Sequence, residues 1–211
     1  MAGLGSRFAA VASRWGSGAE AANAHGQALL ERYAEPHRRY HTVAHLAAVV
    51  HGLFLDLAPD PLAVELAAFF HDAVYDPRAP AGDNERASAQ MAGASLRALG
   101  APEPTVSGVQ RLVMTTVDHR VAPGDADGAV LNDADLAVLA APARAYAAYV
   151  AAVRAEFGWL DDRAWRAGRA RVLAELLDRP SLFATERGMA RWEPPARANL
   201  GAELAALDAG A

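Results

Sequence analysis

Residues 65–75 have the sequence Glu65-Leu-Ala-Ala-Phe-Phe-His71-Asp72-Ala-Val-Tyr75, an apolar run interrupted by an adjacent imidazole and carboxylate. Pro61 suits the first turn of a helix, and the pattern predicts a mostly buried helix over about 61–74. Polar groups on a buried segment cost free energy unless they find partners. A bound metal ion is the simplest partner for His71 and Asp72 together, and compatible residues lie on both sides of the pair.

The composition predicts an all-α protein. Only 7% of the residues are aromatic, and good helix formers far outnumber the β-branched and aromatic residues that strands favour. The chain has 211 residues, which is enough for one domain with a sizeable core. We therefore expect a single-domain helical bundle over residues 1–211.

Charge and residue usage exclude several classes of function. The net charge is only −5 and there is no basic block, so binding to a nucleic acid polymer is not indicated. The absence of cysteine excludes disulfides, thiolate catalysis and iron–sulfur clusters. The absence of lysine excludes Schiff-base catalysis and the lysine of a P-loop.

The sequence gives no signal for secretion or for a membrane. No basic segment followed by an apolar run and a cleavage site is present at the N-terminus. No stretch of 18 or more uncharged apolar residues occurs either. We therefore expect a soluble, cytoplasmic protein, as a monomer or a homodimer, without a membrane partner.

Helix start and stop signals predict nine or ten helices. Asp83 and Asp161 suit N-caps, and Gly100 suits a left-handed helix stop. Loops are expected at 76–82 and 121–128. The predicted helices cover 19–35, 40–57, 61–74, 84–99, 103–118, a segment from about 131, 142–158, 161–178 and two short helices flanking Pro194-Pro195; those within 142–208 complete the bundle.

Histidine and aspartate spacing predicts one metal site. His41 and His45 are four residues apart and would lie on one face of a helix. With His71 and Asp72 from a second segment and Asp135 from a third, the predicted ligand set is His45, His71, Asp72 and Asp135, completed by water. These nitrogen and oxygen ligands suit Mn²⁺, Fe²⁺, Co²⁺, Ni²⁺, Mg²⁺ or Zn²⁺. Each residue alone is more often a core histidine or a helix-capping aspartate.

The same residues resemble a known family. His45, His71-Asp72 and Asp135 resemble the H…HD…D signature of the HD-domain metal-dependent phosphohydrolases. The block Tyr33-Ala-Glu-Pro-His-Arg38-Arg-Tyr40-His41-Thr-Val-Ala-His45 resembles the Y-x-E-P-x-R-x-Y-H-x-x-x-H pattern of a bacterial branch of that superfamily. The segments that resemble this branch lie within about 33–135 and further include 70–77, 83–89 and 132–136.

The resemblance implies an activity and roles for several residues. The expected reaction is phosphate release from a nucleotide or other small phosphorylated metabolite by attack of a metal-bound water. Asp72 would serve both as a ligand and in catalysis, and the general acid or base would be Asp76 or Glu85. Arg38 would clamp the phosphate through its bidentate fork. His119 would protonate the leaving oxygen or bind phosphate.

Three questions stay open at this point. His41 would orient His45, contact substrate or serve a second ion. The main alternative enzyme is a di-iron oxygenase of the HD type, which needs more histidine ligands than His41 and His119 supply. The non-enzymatic alternative is a regulatory module that binds a metal or a nucleotide, and the fold does not decide among these functions.

Overall fold

The computed structural model of this protein describes residues 2–16 and 18–209. These residues form ten α-helices and four short 3-10 helices, and they contain no β-strand. The expectation of an all-α protein with nine or ten helices is confirmed. In chain order the helices are α1 (Ala2–Ala12), α2 (Gly18–Tyr33), α3 (Val43–Gly52), α4 (Pro61–Phe70), α5 (Asp83–Ala98), α6 (Glu103–Met114), α7 (Ala126–Leu136), α8 (Ala143–Glu156), α9 (Asp162–Leu177) and α10 (Glu186–Ala209).

The chain divides into two compact units, Met1–Ala134 and Asp135–Ala211. Helices α1–α6 belong to the first unit and α8–α10 to the second, while the boundary falls within α7. The single domain expected over 1–211 stays a prediction. Among the described residues, no individual helix has the length and apolar character needed to cross a membrane, although one bent pair, Ala126–Ala140 with Ala143–Glu156, meets the criteria jointly.

Helix α4 lies in the first unit and directly precedes the predicted metal ligands His71 and Asp72. Seven of its ten residues are buried, as expected for a helix that is apolar on all sides. The rings of Phe69 and Phe70 meet Phe8 of α1 edge-to-face, at centroid distances of 5.4 and 5.8 Å. Such aromatic pairs contribute about 0.5–1.5 kcal/mol beyond their buried area. This packing fixes the end of α4, which His71 and Asp72 directly follow.

Helix α4 begins as predicted but ends earlier. Pro61 occupies its first turn, and the carboxylate of the N-cap residue Asp60 accepts the N–H of Ala63 at 3.0 Å. The helix stops at Phe70, and Asp72 and Asp76 lie beyond it. The expectation that Asp72 belongs to a helix over 61–74 is therefore wrong. In the turn that follows, the N–H of Ala73 donates to the carbonyl of Phe70 at 3.0 Å.

Helix α3 is shorter than the predicted 40–57, which changes the geometry of His41. Thr42 is its N-cap, in an extended conformation, and its hydroxyl accepts the N–H of Ala44 at 3.3 Å. His41 therefore lies in the preceding turn, while His45 lies in the first turn of the helix. The expectation that these two histidines share a helical face is wrong, because the cap at Thr42 separates them.

Two further helix starts differ from the expectation. Asp83 is not the N-cap of α5, because that position belongs to Gly82, whose φ of 81° is in the left-handed region. Helix α7 begins at Ala126, inside the predicted loop 121–128. The carboxylate of Asp125 explains this early start, since it accepts the N–H of Gly128 at 3.0 Å. Gly100, with a φ of 81°, ends α5 as predicted.

Helix α10 is continuous, although two short helices were expected around Pro194-Pro195. Both prolines lie inside this helix of 24 residues. A stripe of side chains at four-residue spacing runs through the proline pair and packs into the core of the second unit. It comprises Trp192, Ala196, Leu200 and Leu204. The apolar stripe continues through the point where the prolines remove two helical hydrogen bonds.

A buried ion pair joins α9 to α10. The guanidinium of Arg169 donates to both carboxylate oxygens of Glu203, at 2.7 and 2.9 Å. Arg169 is 8% exposed and the Glu203 side chain 9%. The hydroxyl of Tyr146 donates to the same carboxylate. The bidentate geometry and the third donor satisfy a charge that would otherwise be costly to bury. The N-cap of α9 is Asp161, as predicted, and it accepts the N–H of Ala164 at 2.7 Å.

Glu193 anchors the segment that precedes α10. Its carboxylate accepts the N–H groups of Leu182 and Phe183 at 3.0 and 3.2 Å and the Nε–H of Arg197 at 2.7 Å. Burial by itself raises the pKa of the Glu193 carboxyl, but the two backbone N–H groups and then Arg197 outweigh it. The pKa of Glu193 is therefore lowered in the folded protein.

We expect Glu193→Gln to lower the free energy of unfolding at pH 7 by about 1–3 kcal/mol, because a charged acceptor is lost. The folded-state pKa lies below the unfolded value of about 4.3. The carboxylate's contribution is therefore complete above that value and is lost as the pH falls through the folded-state pKa. Urea unfolding at pH 7 and at pH 3 measures the difference in unfolding free energy between wild type and variant. This difference should be smaller at pH 3. A gap of the same size at both values would contradict this assignment.

Candidate metal centre

Three side-chain atoms of the first unit converge on one point. His45 Nε2 lies 3.1 Å from His71 Nε2 and 3.3 Å from Asp72 Oδ2, and the last two atoms are 3.0 Å apart. Among the residues described, these three form a group with the ligand types and spacing that a metal ion needs. His45 comes from the first turn of α3, and His71 and Asp72 come from the turn after α4.

The dimensions of this triangle fit one divalent ion. With metal–ligand bonds of about 2.1 Å, neighbouring ligand atoms lie about 3.0 Å apart in an octahedral site and about 3.4 Å apart in a tetrahedral one. The observed edges of 3.0–3.3 Å fall in this range. Three ligands at one side of an ion leave its other positions for water or substrate. The donor set of two imidazoles and one carboxylate therefore fits an open site.

The tautomer of His71 supports a role as a ligand. Its Nδ1 lies 2.8 Å from the carbonyl oxygen of Ala68. A carbonyl only accepts hydrogen bonds, so Nδ1 carries a proton, and Nε2 is the ring atom that could bind an ion. Metal-bound histidines commonly use their second nitrogen in this way, to fix the ring and its tautomer. His71 is 1% exposed, and its Nε2 faces Asp72 Oδ2 and His45 Nε2.

Asp72 supplies the negative charge of the centre. Its side chain is 16% exposed. Its buried Oδ2 meets the two imidazole nitrogens without a well-aligned hydrogen bond. Burial raises the pKa of the Asp72 carboxyl, but the charges on His71 and then His41, with the adjacent ring of His45, outweigh it. The pKa of Asp72 is therefore held well below its usual range, and the carboxylate is ionised.

Aromatic side chains surround the three ligands. The ring of Tyr40 lies 4.6 Å from that of His45, and the ring of His41 lies 4.2 Å from that of Tyr75. His41 is half-buried, and its ring centroid is 5.7 Å from that of His45. His41 is thus a neighbour of the converging group and not a member of it. Tyr40, His41 and Tyr75 are all partly accessible, so they present aromatic edges and faces beside the centre.

Arg38 has a different place from the one expected of a phosphate clamp. Its side chain has no exposed surface. Its N–H groups donate to the Glu35 carboxylate and to the backbone carbonyls of His41, Asp72 and Ala73. A guanidinium used in this way is not presented to a substrate. The arrangement favours a supporting role over the predicted phosphate clamp.

The other predicted catalytic residues lie in turns or at a helix start. Asp76 is exposed in the loop after α4, where its carboxylate accepts the N–H of Arg78 at 2.9 Å, which is the turn-forming role of an Asp-Pro pair. Glu85 is half-buried in the first turn of α5. His119 follows a 3-10 turn and has a φ of 52°. Arg111 pairs with Asp125 at the surface.

The sequence reasoning missed several residues that hold the turn after α4. The buried Ser88 hydroxyl accepts the N–H of Val74 at 3.0 Å and donates to its carbonyl at 3.3 Å. The Asn84 side chain bonds both the N–H and the carbonyl of Asp76 at 3.0 Å. Both residues belong to segment 83–89, which resembles the family, so their signal was present without an assigned function.

Asp135, the fourth predicted ligand, is the first residue of the second unit, near the end of α7. Its assignment as a ligand stays a prediction. Asp133, two residues earlier, is fully buried, and its carboxylate accepts from the Asn132 amide at 3.1 Å.

Comparison with models of protein families, with curated proteins and with solved structures finds no match to this chain.

Proposed function

We propose that this protein is a metal-dependent phosphohydrolase of the HD type. The observation that carries the proposal is the convergence of His45 Nε2, His71 Nε2 and Asp72 Oδ2 within 3.0–3.3 Å of one another. The order of these residues along the chain also fits the H…HD…D signature, in which Asp135 would be the fourth ligand. A phosphohydrolase needs such an open site of nitrogen and oxygen ligands for its metal ion.

The residues of this chain would divide the work as follows. A divalent ion supplies an activated water and polarises a phosphoryl oxygen when it is bound. His45 and His71 hold such an ion by neutral nitrogens, and the ionised Asp72 offsets part of its charge. Asp76 or Glu85 would be the proton acceptor, and the Asp76 carboxylate also accepts the N–H of Arg78. Phosphoryl transfer depends mainly on positioning and charge, so no covalent nucleophile is required.

The proposed substrate is a small phosphorylated metabolite, with a nucleotide as the leading case. Partly accessible aromatic rings of Tyr40, His41 and Tyr75 lie beside the centre. Such rings give a planar base an apolar surface to stack on. Arg38 does not contribute to this surface, since its side chain is enclosed.

Metal analysis combined with a phosphate-release assay tests the proposal. We expect about one divalent ion per chain in protein purified without chelator, and metal-dependent phosphate release from a panel of nucleotides and sugar phosphates. Dialysis against chelator should abolish the release, and Mn²⁺, Co²⁺, Ni²⁺ or Mg²⁺ should restore it. His71→Ala should lose both metal and activity. His51→Ala is the matched control, because His51 is exposed and its ring bonds only the carbonyl of its own helix at Ala47.

A second candidate is the di-iron oxygenase. Two imidazoles and one carboxylate are also the ligands of one iron in non-haem iron oxygenases, so a second iron would need ligands beyond His45, His71 and Asp72. About two irons per chain with no phosphate release would replace the phosphohydrolase by the di-iron oxygenase. One bound ion with no turnover on the whole panel would leave a metal-binding regulatory module as the function.

A further inference from the structure

We propose that Tyr33 and Arg38 are positioning residues that set the metal affinity of the centre, by holding the backbone of the turn that carries His71 and Asp72. The inference rests on the metal centre of the proposed function. It gives Arg38 a role through the ligands, in place of direct contact with a phosphate.

Arg38 connects the two segments that supply the ligands. Its Nη1 donates to the carbonyl of Asp72 at 2.8 Å and its Nη2 to that of Ala73 at 3.1 Å. The same Nη1 also donates to the carbonyl of His41 at 3.0 Å, just before the N-cap of α3. One planar fork thus spans the turn after α4 and the turn before α3. A lysine cannot reproduce this, because it offers one nitrogen in place of a rigid set of donors.

Tyr33 holds the same turn from its other side. Its hydroxyl donates to the carbonyl of Phe69 at 3.0 Å and accepts the N–H of Asp72 at 3.2 Å. Tyr33 is fully buried. The guanidinium of Arg38 lies 5.2 Å from the centre of the Tyr33 ring, so the two side chains also support each other.

Both backbone polar groups of Asp72 are therefore occupied, the N–H by Tyr33 and the carbonyl by Arg38. These bonds hold the backbone that carries the carboxylate, and they use neither of its oxygens. Metal affinity depends on how closely the ligands are held in the bound geometry before binding, and loss of such a support typically weakens it about 10- to 100-fold. A clamp that joins the carbonyls before α3 and after α4 supplies that preorganisation.

Two variants and two matched controls test the inference. Arg38→Lys keeps the charge and the stem but loses the fork, and Tyr33→Phe removes only the hydroxyl. Arg154→Lys is the control for the first, because Arg154 also donates to two backbone carbonyls and lies over an aromatic ring, in the second unit. Tyr146→Phe is the control for the second, because it loses a buried hydroxyl that donates to Glu203. Calorimetric titration with Co²⁺ gives the affinity, and thermal melting of the metal-free proteins gives the stability.

We expect Co²⁺ to bind Arg38→Lys about 10- to 100-fold more weakly than wild type, with an altered visible spectrum of the bound cobalt. Tyr33→Phe should weaken binding in the same direction. The two controls should keep wild-type affinity even where their melting temperatures fall as much. Wild-type affinity in both variants would overturn the inference while leaving the metal centre intact. If Arg38→Lys does not fold, Tyr33→Phe decides by itself. If wild type binds no divalent ion, the proposed function and the inference both fail.

Discussion

Asp72→Asn is expected to abolish divalent-metal binding, and with it any phosphate release. The substitution keeps the size of the side chain and removes the charge that an ion requires. It also leaves His45 Nε2 and His71 Nε2, which are 3.1 Å apart, without the negative charge of the third ligand. Loss of a direct ligand should exceed the effect of losing a supporting residue, so we expect affinity for Co²⁺ or Mn²⁺ to fall by more than about 100-fold. Titration calorimetry on metal-free protein measures the change.

The matched control is Asp178→Asn, which makes the same chemical change at the exposed end of α9. It should bind metal as wild type does. Circular dichroism of both variants would verify that the helices are retained. An Asp72→Asn protein that binds Co²⁺ with wild-type affinity would remove Asp72 from the ligand set, and the proposed phosphohydrolase would lose the observation that supports it.

The largest expected effect on stability is at the buried ion pair between α9 and α10. Glu203→Gln should lower the free energy of unfolding by about 3–5 kcal/mol, because it leaves the Arg169 charge buried without its counter-charge. The hydroxyl of Tyr146 also loses a charged acceptor. Urea unfolding followed by tryptophan fluorescence is a suitable measurement. Three of the four tryptophans, Trp159, Trp165 and Trp192, lie in the second unit with this pair.

A second ion pair on α9 gives the control. Arg171 and Glu175 are 3.8 Å apart with side chains 77% and 67% exposed, so Glu175→Gln should change stability by less than about 0.5 kcal/mol. The double variant Arg169→Leu with Glu203→Leu should recover much of the loss, because it removes both buried charges together. A Glu203→Gln protein as stable as Glu175→Gln would show that the pair is not effectively buried in solution.

Much of the fold was predictable because helix signals are local. Asp161 begins α9 as its N-cap, and Gly100 ends α5 in a left-handed conformation, as their chemistry indicated. One error arose where two local signals conflicted. At Pro194 and Pro195 the proline rule outweighed the apolar stripe at four-residue spacing, although packing of that stripe keeps α10 continuous.

The sequence predicted residues that converge in the structure, but it did not predict the residues that hold them in place. The residue types and order of His45, His71 and Asp72 were sufficient to propose three ligands, and the structure brings their atoms together. The proposed role of Arg38 was not predictable, because its partners are the backbone carbonyls of Asp72 and Ala73, which are 34 and 35 residues away. Backbone acceptors have no residue-type signature, so spacing in the sequence does not reveal them.

In the turn at Asp72, the hydrogen bonds that hold the backbone do not depend on the identity of the side chain. Its N–H and carbonyl are bound by Tyr33 and Arg38, and neither bond involves the side chain. Residue 72 can therefore be exchanged for glutamate or histidine while these two backbone bonds remain available. Carboxylates favour harder ions and imidazole favours Zn²⁺, Cu²⁺ or Ni²⁺. The metal preference of the proposed centre would thus be set largely by the side chain at residue 72.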